Sequence, residues 1–274
     1  MSRAPRLAAT LAVCTLGCVL LAGMTHAALF AYAHGERPPL FALQNLSGGL
    51  WFTLGLLGPV SLHEAAHLVS YRHYGVRWSG PYAIPLPLFI TGTAGAFIRL
   101  ESPYPSRESM IVSGAAGPLA GFLGVLPAAW FGLKWSLPIS ALVAGTRLKR
   151  FGMPHLMSWW THGSVVLHPL GAGAWIACLL CFVNLLPCEH FDGGTILHGL
   201  HAKTARVVSV LMLGLSFFLA AYSLTWGLVL AVQVLVLIFA GWQQHPTHNE
   251  ELPTGIWTVP ALALLALWAT WATI

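Results

Sequence analysis

Long apolar stretches separated by short polar ones set the pattern of this chain. Leu7–Ala33, Leu50–Tyr71, Met110–Leu133, Gly171–Pro187, Thr204–Ser223, Leu224–Trp242 and Gly255–Thr273 each read as a mostly apolar helix. These lengths lie near the ~20 residues that cross roughly 30 Å of hydrocarbon at about 1.5 Å per residue. Residues 81–100 are also apolar, but Pro81, Pro85, Pro87, Gly92 and Gly95 interrupt them. Proline and glycine at that density break a regular spanning helix. The segment therefore predicts a β-hairpin or a re-entrant loop, shielded from lipid by protein. The expected class is an all-α polytopic membrane protein with about six to seven transmembrane helices plus that one irregular segment. One integral-membrane domain is expected over residues 1–274, with its core at about 50–200 and accessory helices at 7–33 and 204–273.

Composition sharpens the class. Of 274 residues, 57% are hydrophobic and only 8% are charged, against about 25% charged in a soluble domain. So few charges cannot solvate a surface, which excludes a cytosolic enzyme, a disordered chain and a nucleic-acid binder; the expected surrounding is a lipid bilayer. The net charge of +5 reads as a topology signal rather than as a site for an acidic partner. Arg3 and Arg6 precede the first helix, and Arg72 and Arg77 follow the second. They predict a cytoplasmic N-terminus and a cytoplasmic end to the second helix. Arg147, Lys149 and Arg150, in the loop over Lys134–Pro169, count mildly against this alternation. A cleaved leader over residues 1–27 competes with a retained first helix. The apolar run is longer than the roughly 7–15 residues of a signal core, which favours retention. The five cysteines sit in or beside apolar runs and predict small buried residues rather than disulfides.

The second apolar helix carries the chemistry. It contains His63-Glu64-Ala65-Ala66-His67. Residues i and i+4 share a helix face, so two imidazoles can grip one zinc ion at about 2.0–2.1 Å each. Glu64 is rotated roughly 100° from His63, near enough to take a proton from a water at the cation and pass it to a leaving amine. Shuffling this composition produces the pattern in only about 1–2% of chains. Ionisable groups inside a membrane helix are costly and usually functional.

A catalytic zinc needs a third protein ligand. Asp192 is the chain's only aspartate, and five of the seven glutamates (36, 101, 108, 250 and 251) lie in polar loops. Glu64 is already assigned, which leaves Asp192 and Glu189 as candidates. Asp192 is preferred, because Gly193-Gly194 lets the backbone turn sharply beside it; His190 is a further alternative. Asn184, three residues before Pro187, is an amide in an apolar helix that needs a partner. It is suited to holding a peptide or a developing oxyanion. The glycines of Met110–Leu133, at 114, 117, 121 and 124, predict close packing of that helix within the fold.

These motifs resemble the site-2 protease family of intramembrane zinc metalloproteases. The resemblance rests on His63-Glu-x-x-His67 followed by Asn184-x-x-Pro187-x-x-x-x-Asp192-Gly193, with support from Gly95–Leu100, Gly114–Gly121 and His168-Pro169. It covers about residues 50–200. It implies one zinc per chain held by His63, His67 and Asp192, with Glu64 as general base and acid and Asn184 on the substrate or oxyanion. It implies cleavage of a single-pass membrane-protein substrate in or near its transmembrane segment, in regulated intramembrane proteolysis, with the active site toward the cytoplasm. The hairpin at 81–100 is then expected to offer a strand edge to an unwound substrate. No polar insertion between the apolar runs is long enough for a PDZ domain. Two other readings compete: a metal-ion transporter using the same His/Asp cluster for transit, and a membrane zinc protease of another fold. The resemblance assigns no role to His168.

Overall fold

The computed structural model of the chain describes residues 3–87, 89–138, 165–222, 224–240 and 258–272. Most of the loop expected over Lys134–Pro169, and all of the polar stretch Gln243–Pro253, lie outside them. Along the chain run α1 (Arg3–Ala33), a 3-10 turn (Leu43–Asn45), α2 (Leu46–His73), β1 (Trp78–Pro85), β2 (Thr93–Leu100) and α3 (Arg107–Lys134). There follow the two-residue strands β3 (Leu137–Pro138) and β4 (Val165–Val166), then α4 (Pro169–Asn184), α5 (Asp192–Ala220), α6 (Leu224–Ala240) and α7 (Thr258–Ala272). Among the described residues three helices are long and apolar enough to cross a membrane: Arg6–Ala33, Arg107–Lys134 and Asp192–Ala220. Their flanks expose Leu21, Leu123, Leu126, Val207, Leu211 and Phe217. Large side chains bare to the outside on long helices suit contact with lipid.

Two compact units divide the chain. The first comprises residues 1–62, 80–99 and 121–180. Its core gathers Val19 and Ala22 from α1, Phe52 and Leu56 from α2, Val125 from α3, and Ala172, Ile176 and Ala177 from α4. The helices touch backbone to backbone: a Cβ added at Gly173 would lie 2.3 Å from the Phe52 carbonyl, and one at Gly55 2.3 Å from the Leu170 carbonyl. Such approach replaces side-chain volume with continuous van der Waals contact, the usual solution where lipid supplies no hydrophobic drive.

The segment at 81–100 pairs as a two-stranded sheet, β1 against β2. Its connecting loop leans on α1. The Ile90 carbonyl lies 3.0 Å from His26 Nε2, and Gly92, at φ +70°, presses so close to α1 that a Cβ would sit 2.5 Å from the Val19 Cα.

His168 also acquires a role here. The Leu170 backbone N–H donates to His168 Nδ1 at 3.2 Å, so the imidazole caps the start of α4, and its ring stands edge-on to Phe30, Trp51 and Trp135. Burial lowers its pKa from the ordinary 6.5. Only the neutral ring accepts that hydrogen bond. The unfolded chain therefore binds more protons below pH 6.5, and stability falls as pH drops through that range. His168→Ala is expected to cost about 1 kcal/mol, as lost caps do, and to flatten the acid-side slope of the thermal midpoint against pH.

The second unit comprises residues 63–79, 100–120 and 181–274. Leu186, Cys188, Phe191 and Met212 form its core, packed against Val183, Val208, Val229 and Val236. α5 begins at Asp192, twelve residues before the expected start at Thr204. Gly193-Gly194 read as a turn in the sequence, but here they occupy the first helical turn. The helix breaks at His201, whose backbone is extended. Arg107 Nε donates to the Gly199 carbonyl at 2.8 Å and its Nη2 to the Leu200 carbonyl, placing a cation on the C-terminal end of the first part. The Thr204 backbone N–H donates to His201 Nδ1 at 3.2 Å, capping the second part.

Candidate metal centre

α2 carries His63 and His67 one turn apart, and both rings are buried, at 3% and 5% exposure. Their Nε2 atoms lie 3.1 Å apart. Asp192, the first residue of α5, straddles them: Oδ2 lies 3.1 Å from His63 Nε2 and Oδ1 3.2 Å from His67 Nε2. Donor atoms of the three residues all fall within 4.8 Å of one another, and theirs is the one such cluster among the described residues.

The donor set fits a small divalent cation. A tetrahedral zinc with donors at about 2.0–2.1 Å separates them by about 3.3–3.4 Å, close to the triangle observed. Two imidazole nitrogens 3.1 Å apart can share one N–H, and a cation between them would satisfy both rings and the carboxylate together. Space is kept for the His67 ring. A Cβ added at Gly117 of α3 would lie 2.2 Å from His67 Nε2. Glycine at this position leaves His67 Nε2 clear of α3.

Local chain geometry explains how Asp192 arrives. α4 stops at Asn184, ahead of Pro187, and its last carbonyls are met in short turns: Leu185 N–H donates to Phe182 at 3.2 Å and Leu186 N–H to Val183 at 3.1 Å, and Cys188 N–H then donates to Leu186 at 2.7 Å. Glu189 takes the left-handed conformation at φ +34°, and Phe191 N–H closes the turn on the Cys188 carbonyl at 3.0 Å. The turn then folds back onto the start of α5. A Cβ at Gly193 would meet the Leu185 carbonyl at 2.0 Å, and one at Gly194 the Glu189 carbonyl at 2.3 Å. The two glycines after Asp192 thus let the helix start beneath the turn. Gly114 does the same for α3, where a Cβ would lie 2.8 Å from the Asp192 carbonyl.

The other sequence candidates fall as follows. Asn184 Nδ2 lies 3.3 Å from His63 Nε2, so the amide borders the triangle. Glu64 is half-buried on α2, close enough for its charge to act on His67. Glu189 faces His198 rather than the triangle, and neither it nor His190 belongs to the cluster.

Sequence reasoning passed over several neighbours. Cys181 Sγ lies 3.9 Å from His63 Nδ1, at the back of that ring. Tyr71, one turn beyond His67, lies nearly parallel to it with centroids 5.9 Å apart. Its hydroxyl hydrogen-bonds that of Tyr104, whose pKa burial pushes up, with the Asp192 charge adding to the rise. The i, i+4, i+8 spacing of His63, His67 and Tyr71 was the available signal. Tyr104 carried none, and Cys181 only the weak Cys178-x-x-Cys181 spacing.

The sequence profile of Peptidase family M50 matches residues 51–222. The chain belongs to this family. Site-2 proteases are M50 peptidases, so the resemblance read from the two motifs is borne out. The M50 chain is 30% identical over 251 residues to the probable zinc metalloprotease EGY1, chloroplastic, of Oryza sativa subsp. japonica, covering 84% of this chain and 41% of that protein. It is 28% identical to the Arabidopsis thaliana protein of the same name, over 74% of this chain and 38% of that protein. It is 29% identical to the probable zinc metalloprotease EGY2, chloroplastic, of Oryza sativa subsp. indica, over 63% of this chain and 33% of that one. The chain thus spans about two-fifths or less of the length of these relatives. No solved structure matches it. Family and apolar helices together make this M50 chain an integral membrane protein.

Proposed function

We propose that this M50 chain is an intramembrane zinc endopeptidase that hydrolyses a peptide bond in or near the transmembrane segment of a single-pass membrane protein. The observation that carries the reading is the buried triangle of His63, His67 and Asp192, with Glu64 on the same helix and Asn184 at its border. The plant relatives are named zinc metalloproteases, and the same chemistry is assigned here. His63, His67 and Asp192 hold the ion, whose Lewis acidity favours attack on a carbonyl. Glu64 takes the proton of the attacking water at its carboxylate and delivers it to the departing amide nitrogen. The Asn184 amide N–H donates to the scissile carbonyl oxygen or to the neighbouring peptide and so fixes its approach.

A helical substrate hides its amides in its own hydrogen bonds and must unwind first. The sheet of β1 and β2 is two-stranded, so each strand has an outer edge with no strand partner among the described residues. In this reading the hairpin lies at membrane level, and one edge takes up the unwound segment as an added strand. The whole is one integral-membrane domain of six to seven spans, with a cytoplasmic N-terminus and the centre toward the cytoplasmic side, consistent with Arg3, Arg6, Arg72 and Arg77.

The test is metal removal. Purified chain in detergent micelles, given a labelled transmembrane-helix substrate, is expected to cleave it. A chelator should stop cleavage, and about one equivalent of zinc per chain should restore it. Cleavage that survives removal of the metal would overturn the assignment.

A further inference from the structure

Glu189 and His198 form a second polar feature beside the centre, and hydrolysis makes no use of it. Glu189 lies three residues before Asp192, and His198 lies on the second turn of the helix that Asp192 begins. Both are almost wholly enclosed, at 1% and 2% exposure, and Glu189 Oε2 stands 3.6 Å from His198 Nε2. Glu189 is also held through its backbone. Its N–H donates to Ser209 Oγ at 3.0 Å, and its carbonyl lies against Gly194, within the first turn of α5. It adopts φ +34°, a conformation that glycine takes readily and a glutamate does not.

An acid and an imidazole enclosed in an apolar core are costly to bury, and apolar side chains of similar volume fill such a space without that cost. What the pair adds is direction. It joins the turn ahead of Asp192 to the helix behind it, while the Ser209 contact joins the same turn to the far side of the His201 break. We infer that the Glu189–His198 pair is a lock that positions Asp192, holding the carboxylate in its ligating place before the ion arrives. This inference rests on the reading of Asp192 as a metal ligand. Both residues are positioning residues. Outer groups that orient metal ligands typically alter affinity by about 10–100-fold.

The experiment measures zinc affinity directly, by competition with a chromophoric chelator, on the full chain in micelles. Glu189→Gln and His198→Gln are each expected to weaken zinc binding by about 10–100-fold. The double variant should be no weaker than either single one, since both break the same contact. At saturating zinc, cleavage by the variants is expected to return to within a few-fold of wild type. A group that merely supports the core would not be rescued in this way. Unchanged zinc affinity in both single variants overturns the lock. So does failure of both to fold even with zinc supplied, because the pair would then hold up the core rather than the ligand. A wild type that binds no zinc would instead defeat the metal reading, a result separable from either.

Discussion

Gly117→Ala is expected to weaken zinc binding by at least about 100-fold and, with it, to cut peptide hydrolysis, through the addition of a single methyl group. The new Cβ would sit 2.2 Å from His67 Nε2 and 2.6 Å from Cε1 of the same ring. Real contacts of this kind do not fall below about 3.0 Å, so something must move. α3 cannot simply retreat, because Gly114, one turn earlier, is packed on the Asp192 carbonyl and Ile196, and Ser113 Oγ lies 2.7 Å from Ser70 Oγ. The imidazole is the softer partner and swings off its ligating position. Losing one of three protein ligands should lower zinc affinity by at least about 100-fold, since even outer-shell changes cost 10–100-fold. Metal content after dialysis, with helicity as the control for folding, reads this out. An alanine variant that kept a full equivalent of zinc would show that the clear space at Nε2 is not needed.

Glu64→Gln is expected to keep zinc and lose cleavage. The amide has nearly the shape of the carboxylate but cannot accept the water's proton. Positioned acid–base groups contribute about 10²–10⁴-fold, so hydrolysis should fall by at least that range, with KM for the helix substrate little changed. Metal analysis and cleavage are measured on the same preparation. A site that only passes ions across the membrane has no use for Glu64 as a base. Normal cleavage by the glutamine variant would remove the hydrolytic mechanism, whereas loss of zinc together with activity would make Glu64 a ligand instead.

How much of this was legible beforehand depended on the kind of signal. The i, i+4 spacing of His63 and His67 is local and needs only a helix to become a metal face, so it could be read directly. Elimination narrowed the third donor to Asp192 and Glu189, and the glycines after Asp192 tipped the choice toward it. The placement of α5 was not reachable. Gly193-Gly194 normally argues for a turn, and here a tertiary contact with the Leu185 and Glu189 carbonyls overrides that preference. Gly117 looked like ordinary helix packing, because whether a glycine faces a neighbouring helix or a ligand is decided by rotation of α3 about its own axis. The hairpin was named only as one of two options, since proline and glycine exclude a helix without choosing what replaces it.

The break at His201 separates two mechanical loads. Residues 192–200 are largely enclosed, fastened at one end by the turn and at the other by Arg107, whereas the part beyond is bare on Val207, Val210, Leu211 and Phe217. Bilayers of different thickness tilt exposed helices by different amounts. A rod continuous from Ala220 to Asp192 would lever that tilt into the carboxylate. The joint relieves part of that load, but the Glu189 N–H bond to Ser209 Oγ still ties the outer arm to the turn ahead of Asp192, so a change of host membrane should shift the carboxylate less than a continuous rod would, not leave it untouched.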